Sequence, residues 1–230
     1  LSKLNSTIIE VENAYDNYRM NDAVKSVYDF VYKNFCDWYI EFSKSRFYGT
    51  DEKDKAVAQK VSLHVLKTIL KLMHPYCPFI TEEIWSHTSK DEMLINAQWP
   101  KADKEMIDIK IENELSIIMN LISSIRNIKA NFAISPKKEI SLLCKVDDSM
   151  AGVLLNYKNY LERLVRVTNL ETGKDIKKPS QSTTIVTDNM EVYIPLKDLI
   201  DINKEIERLE NQIENLEGRL NSVNQKLDDK

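Results

Sequence analysis

Residues 22–49, DAVKSVYDFVYKNFCDWYIEFSKSRFYG, set the fold class. Val24, Val27, Tyr28, Val31, Phe35, Trp38, Tyr39 and Phe42 recur at helical steps, which gathers them on one inward face. Asn21 and Asp22 supply a break and an N-cap ahead of this helix, and its end is expected near Gly49. The same period continues on both sides. Leu4, Ile8, Val11, Tyr15 and Tyr18 mark an earlier helix over 2–20. After a charged link, Thr50–Lys55, a third helix carries Val57, Val61, Val65, Ile69 and Leu72 until Pro75 and Pro78 stop it. Thr81 with Glu82 and Glu83 is expected to cap a short fourth helix, where the dipole favours carboxylates in the first turn. A fifth runs from Asp103 to about Phe132 with Ile107, Ile111, Leu115, Ile118, Ile122 and Ile125 inward. Residues 1–136 therefore read as a helical bundle.

The texture changes after that. Glu139–Val146, Val165–Glu171, Thr183–Thr187 and Glu191–Ile194 alternate like strands, and Ala151–Leu164 reads as a helix among them. Asp188 and Asn189 make a turn before the last strand. Residues 137–195 are thus expected to form a small α/β unit. Pro195 suits the first turn of a final helix, whose dipole Asp198 and Asp201 complement. That helix, 196–230, carries an a/d seam: Leu199, Ile202, Ile206, Leu209, Ile213, Leu216, Leu220, Val223 and Leu227. Burying such a side chain is worth about 1.5–3 kcal/mol, so the seam calls for a partner. Either the chain self-associates, or a second arm of a helical hairpin lies beyond Lys230. The start at Leu1, already inside a helical pattern, likewise suggests a piece of something longer. The fold class expected is mainly α: a bundle, a small α/β unit and a coiled-coil helix.

Composition narrows the function classes. Four glycines and six prolines suit long helices with few tight turns. No run of 18 apolar residues and no signal-like start is present, so neither a membrane span nor a secretory address is expected. Cys36, Cys77 and Cys144 are odd in number and far apart, which points to buried free thiols in a reducing cytoplasm. His64, His74 and His87 lack ligand spacing, so no metal site is expected. His74 has no carboxylate or nucleophile at usable spacing, and its expected role is packing at a helix end. Asp37 and Glu41, four apart, read as a solvated edge. The net charge of −4 argues weakly against nucleic acid. Its distribution is more informative, because Arg126, Lys129, Lys137, Lys138 and Lys145 face only Glu139 over 121–145.

Three strings, in this order, carry a resemblance. They are Phe35-Cys36-Asp37-Trp38-Tyr39-Ile40-Glu41-Phe42, then Leu72-Met73-His74-Pro75-Tyr76-Cys77-Pro78-Phe79-Ile80-Thr81-Glu82-Glu83-Ile84-Trp85, then Ser124-Ile125-Arg126-Asn127-Ile128-Lys129 leading into Ile134-Ser135-Pro136-Lys137-Lys138. Together they resemble the C-terminal part of the class I valyl-tRNA synthetases, over essentially the whole chain. The second string alone is less specific, since isoleucyl and leucyl enzymes carry looser versions. The resemblance implies an anticodon-binding bundle, an α/β linker and the first helix of a coiled-coil arm that steadies the outer corner of a valine-specific tRNA. It implies a full-length cytoplasmic enzyme, monomeric, that activates valine with ATP and magnesium. No cofactor and no catalytic residue are expected in this stretch. Ser43-Lys44-Ser45 matches the tail of a KMSKS signature but lacks its leading Lys-Met, and no HIGH motif or Gly-rich phosphate loop is present. Glu210 and Glu217 at e positions imply basic residues on the missing arm, and the orphaned seam is expected to self-associate.

A bundle reads splayed bases with stacking side chains and polar edges, while cations hold the phosphates. The strip best suited to this is Arg126, Lys129, Asn131, Phe132, Lys137 and Lys138. A second candidate gathers Lys44, Arg46 and Tyr48 before Gly49. Two other readings stand beside this one: a zipper-dimerised scaffold that binds no RNA, and the equivalent module of an isoleucyl enzyme.

Overall fold

A computed structural model of the chain describes residues 1–89, 92–187, 190–197, 199–200, 206, 208 and 210–220. The chain divides into two compact units, Leu1–Ser116 and Ile117–Lys230. Among the described residues it is mainly helical with one small sheet.

In the first unit, α1 (Ser2–Asp16) places Leu4, Ile8, Val11 and Ala14 in the core. It stops earlier than the sequence suggests. Tyr18 takes a left-handed conformation (φ 56°), Tyr18 N donates to the Tyr15 carbonyl, and Arg19 N reaches back to the Ala14 carbonyl at 2.7 Å. These two bonds close the helix in the way a C-terminal glycine usually permits. Tyr18 is 87% exposed, off the face assigned to it. The break therefore falls at 17–19, with Arg19 rather than Asn21 or Asp22 at the N-cap; Asp22 pairs with Arg19 from the first turn of the next helix.

That helix is continuous but not uniform: α2 (Met20–Asp29), a π-helical segment (Phe30–Ile40) and α3 (Glu41–Phe47). The i→i+5 pattern of the middle segment rotates the apolar stripe away from where an α-helix carries it. Ala23, Val27 and Phe30 reach the core, Phe35 packs against it, and Phe35 stacks on Tyr39 at 5.6 Å. Tyr28 instead turns outward and pairs with Tyr32 at 4.4 Å. At the end of α3, a Cβ on Gly49 would lie 2.7 Å from the Ser45 carbonyl, so the chain needs glycine to turn there.

α4 (Glu52–Met73) starts inside the expected link, because the Asp51 carboxylate caps it by accepting from Lys53 N and Asp54 N. Val65, Ile69 and Leu72 face the core, while Val57 is exposed. α5 (Pro78–Ser86) begins at Pro78, which suits a first helical position. Thr81 and Glu82 do not cap it. Buried Thr81 donates to the Cys77 carbonyl and sits 2.8 Å from His74 Nδ1, which gives His74 its packing role. Glu82 accepts from Leu94 N at 2.8 Å in the next turn. Trp85 is buried beneath Lys67 and Lys71, while Phe79 is 90% exposed and Ile84 lies at the surface.

α6 (Ile109–Asn131) starts six residues later than expected after a short 3-10 turn at Lys104–Met106. It buries Ile118, Leu121, Ile122 and Ile125 but leaves Ile111 exposed. In the second unit, β1 (Ile140–Lys145) pairs in parallel with β2 (Val167–Gly173) and antiparallel with β4 (Met190–Pro195), which pairs antiparallel with β3 (Ser182–Thr187). The sheet order is β2-β1-β4-β3. The helical stretch between β1 and β2 is two helices, α7 (Asp148–Asn156) and α8 (Lys158–Val165). Pro195 closes β4 instead of opening a helix. The expected turn at Asp188-Asn189 and the dipole residues Asp198 and Asp201 lie outside the described residues, as do the seam positions Ile202, Leu209, Val223 and Leu227. Residues 210–220 are helical, and Ile206, Ile213, Leu216 and Leu220 are 48–61% exposed. Leu199 sits in a turn, its N–H on the Leu196 carbonyl.

All three cysteines are free, but only Cys144 is buried; Cys36 is exposed and Cys77 half-buried. Burial pushes the Cys144 thiol up to about 12. Among the described residues no helix is long and apolar enough to cross a membrane.

Candidate nucleic-acid interface

The strip read from the sequence lies where α6 ends and β1 begins. Ala133 takes a left-handed conformation (φ 52°), Ala133 N donates to the Ala130 carbonyl at 3.1 Å, and Ile134 N donates to the Lys129 carbonyl at 2.7 Å. This terminates α6 and buries Ile134 just past its end. The chain then forms a tight turn, with Lys138 N donating to the Ser135 carbonyl at 2.9 Å. Pro136 occupies the second position, where its fixed φ favours the turn. Ile140 N next donates to the Arg166 carbonyl at 2.9 Å and starts the parallel ladder.

The turn raises Lys137 and Lys138 into solvent. Arg126 and Asn131 are also exposed, and Phe132 is half-buried. The Asn131 carbonyl accepts from Arg208 at 3.2 Å, which leaves its side-chain amide for other partners. Beside the turn, Ala130, Ala133, Ile134, Pro136 and Leu164 wall a mostly apolar groove of about 520 Å³, with Arg126 at its rim.

Lys129 departs from the expectation. It is only 4% exposed, and its ammonium donates to the carbonyls of Pro136 (3.2 Å), Lys138 (2.6 Å) and Val165 (2.9 Å). An ammonium has three N–H donors, and all three are taken. Burial holds its pKa below the usual lysine value, and the nearby Arg166 charge acts in the same direction. The Val165 carbonyl belongs to the last turn of α8, where carbonyls lack helical partners and the dipole favours a cation. Lys129 therefore cannot hold a phosphate in this arrangement.

Arg166 takes its place in the cationic surface, and nothing in the linear pattern marked it. It is the left-handed cap of α8 and exposed, 28 or more residues from the rest of the strip. Only the pairing of β1 with β2 brings it beside Ile140.

The second cluster lies in the first unit and is chemically different. Lys44 donates to Glu41 one turn back. The Arg46 guanidinium grips Asp54, with Nε 2.9 and 3.0 Å from the two carboxylate oxygens and Nη2 2.7 Å from one of them. The Arg46 hydrogen bond holds the Asp54 carboxyl below its ordinary range. Tyr48 alone stands clear, 87% exposed. Two cations that already face carboxylates attract a phosphate less than Lys137 and Lys138 do.

A family profile for the anticodon-binding domain of tRNA ligase matches residues 1–144, a stretch that contains both clusters up to the start of β1. Over its full length the chain is 37% identical to the valine–tRNA ligase of Fusobacterium nucleatum and 38% identical to that of Petrotoga mobilis. It is 34% identical to the valine–tRNA ligase of Bacillus subtilis over 99% of its length. In each case it spans 26% of the relative, so the chain corresponds to about a quarter of those proteins.

Proposed function

Because this chain belongs to the family of anticodon-binding domains of tRNA ligases, we propose that it holds the anticodon region of a valine-specific tRNA for a valine–tRNA ligase. The observation that carries this reading is the exposed pair Lys137 and Lys138, lifted on a fixed turn beside Arg126 and Arg166. Four cations grip the backbone of the anticodon arm. An unstacked base lies against the apolar groove near Ile134 and Pro136, with Phe132 and the Asn131 amide at its edge. Tyr48, with Lys44 and Arg46, provides a weaker second contact.

The longer protein activates valine with ATP and magnesium and esterifies it to tRNA in the cytoplasm, with the chemistry outside these 230 residues. Residues 1–136 serve as the anticodon-binding bundle, 137–195 as a linker, and 196–230 as the first helix of an arm against the tRNA outer corner. The full enzyme is monomeric. The isolated chain dimerises through its exposed seam, so its light-scattering mass should rise toward that of a dimer with concentration. A mass that stays monomeric at every concentration removes that part of the proposal.

The principal test is a titration with valine tRNA and with the same tRNA carrying a changed middle anticodon base. Tighter, salt-sensitive binding of the unaltered tRNA is the expected result. Equal weak binding to both reduces the role to backbone holding. No binding returns the chain to a helical scaffold.

A further inference from the structure

We infer that Lys129 is a positioning residue for tRNA binding, a buried cation that holds the Ser135–Lys138 turn in its binding shape while touching no RNA. The inference rests on the proposed reading of Lys137 and Lys138 as phosphate contacts.

Residues 135–139 are all exposed, so side-chain packing does little to fix this segment. Within the turn, one backbone bond joins Lys138 N to Ser135 O, and Lys137 N lies 3.4 Å from Ser135 Oγ. Lys129 reaches the turn's carbonyls from outside it, donating to Pro136 and to Lys138. Its third bond, to Val165, ties the same nitrogen to the end of α8. One atom thus joins the last helix turn of α6, the cationic turn and α8. Arg166, directly after Val165, is fixed by the same knot through its carbonyl bond to Ile140 N. Held this way, two lysines and an arginine meet the phosphates without first ordering a mobile loop, which is how preorganisation raises affinity.

The test compares four versions of the 230-residue chain by tRNA titration at several salt concentrations: wild type, Lys129→Met, the pair Lys137→Ala/Lys138→Ala, and all three changes together. Methionine keeps an unbranched stem and removes the donors. The expected result is that Lys129→Met loses most of the affinity that the pair loses, about three- to tenfold, and flattens the salt dependence alike. The triple variant should bind no more weakly than the pair, because Lys129 acts through those two side chains. A merely structural residue would instead leave the salt slope in place. Wild-type binding by Lys129→Met beside a weakened pair overturns the inference and leaves the interface reading intact. Fully additive losses also overturn it. Wild-type binding by the pair overturns the interface reading, and the inference with it. Circular dichroism checks that each variant folds. Should Lys129→Met fail to fold, the salt slope of Pro136→Gly decides, since that change loosens the turn and keeps every cation while a lost apolar base contact leaves the slope in place: a flattened slope supports the inference, and a wild-type slope overturns it.

Discussion

The ends of α3 and α6 carry nearly the same residue types, two or three cations with one aromatic before a change of direction, yet they do different things. At α3, the cations are matched by Glu41 and Asp54, carboxylates three and eight residues away in the chain. At α6, one cation turns inward to bind carbonyls, and Lys137 and Lys138 rise outward on the turn it holds. A lysine or arginine is available to RNA according to what faces it after folding. Its residue type and its spacing along a helix do not settle that.

Three measurements bear on this contrast, beginning with the largest effect. Lys137→Ala/Lys138→Ala should weaken tRNA binding by about tenfold and lower the salt slope by roughly one to two, in keeping with two lost phosphate contacts. Unchanged binding would reverse the ranking of the two clusters. Arg46→Ala should change affinity less than about twofold, an effect nearer that of a rim charge. Its main consequence should be a lower thermal midpoint, which shrinks under acid. The sign follows from Asp54, whose carboxyl lies below its ordinary range in the folded chain. The stability it contributes is present above the unfolded carboxylate pKa and disappears as pH falls through the folded value. A midpoint difference between Arg46→Ala and wild type that persists in strong acid would show that the pairing is not its cause. Lys44→Ala should be the mildest, since an exposed pair one turn apart is worth only a few tenths of a kcal/mol. A large loss of affinity on that change would make the α3 end a true contact.

The thiols offer a control on folding in all of these variants. Cys36 is exposed and should react with a thiol reagent at once, whereas Cys144, buried and pushed up to about 12, should react only on unfolding. Early labelling of Cys144 in a variant would mean that its second unit has opened.

The places where sequence reading missed share a cause. With four glycines, none at positive φ, the chain closes α1, α6 and α8 on Tyr18, Ala133 and Arg166 in the left-handed region. The usual glycine signal for a helix end is therefore missing, and the first helix reads to residue 20, four past its end at Asp16. Tyr28 reads as core because its spacing is helical, but the buried face of the helix runs through Ala23, Val27 and Phe30, and Tyr28 lies beside that face at the surface. Lys129 read as a surface cation because lysine is rarely buried, and nothing within the α6 pattern reveals three carbonyls from two other segments.

Periodicity along the chain was enough for a mainly helical protein with a small α/β unit, because 3.6- and 2-residue patterns are local and the apolar faces they make must be buried. The order of three motif strings was enough for the tRNA-ligase family. Which cations face solvent, and Arg166's place beside Ile140, depend on groups distant in sequence meeting across a parallel strand pair and a buried ammonium. Those contacts exist only once the chain has closed on itself, since a hydrogen bond to a remote carbonyl leaves no mark in the residues around the donor.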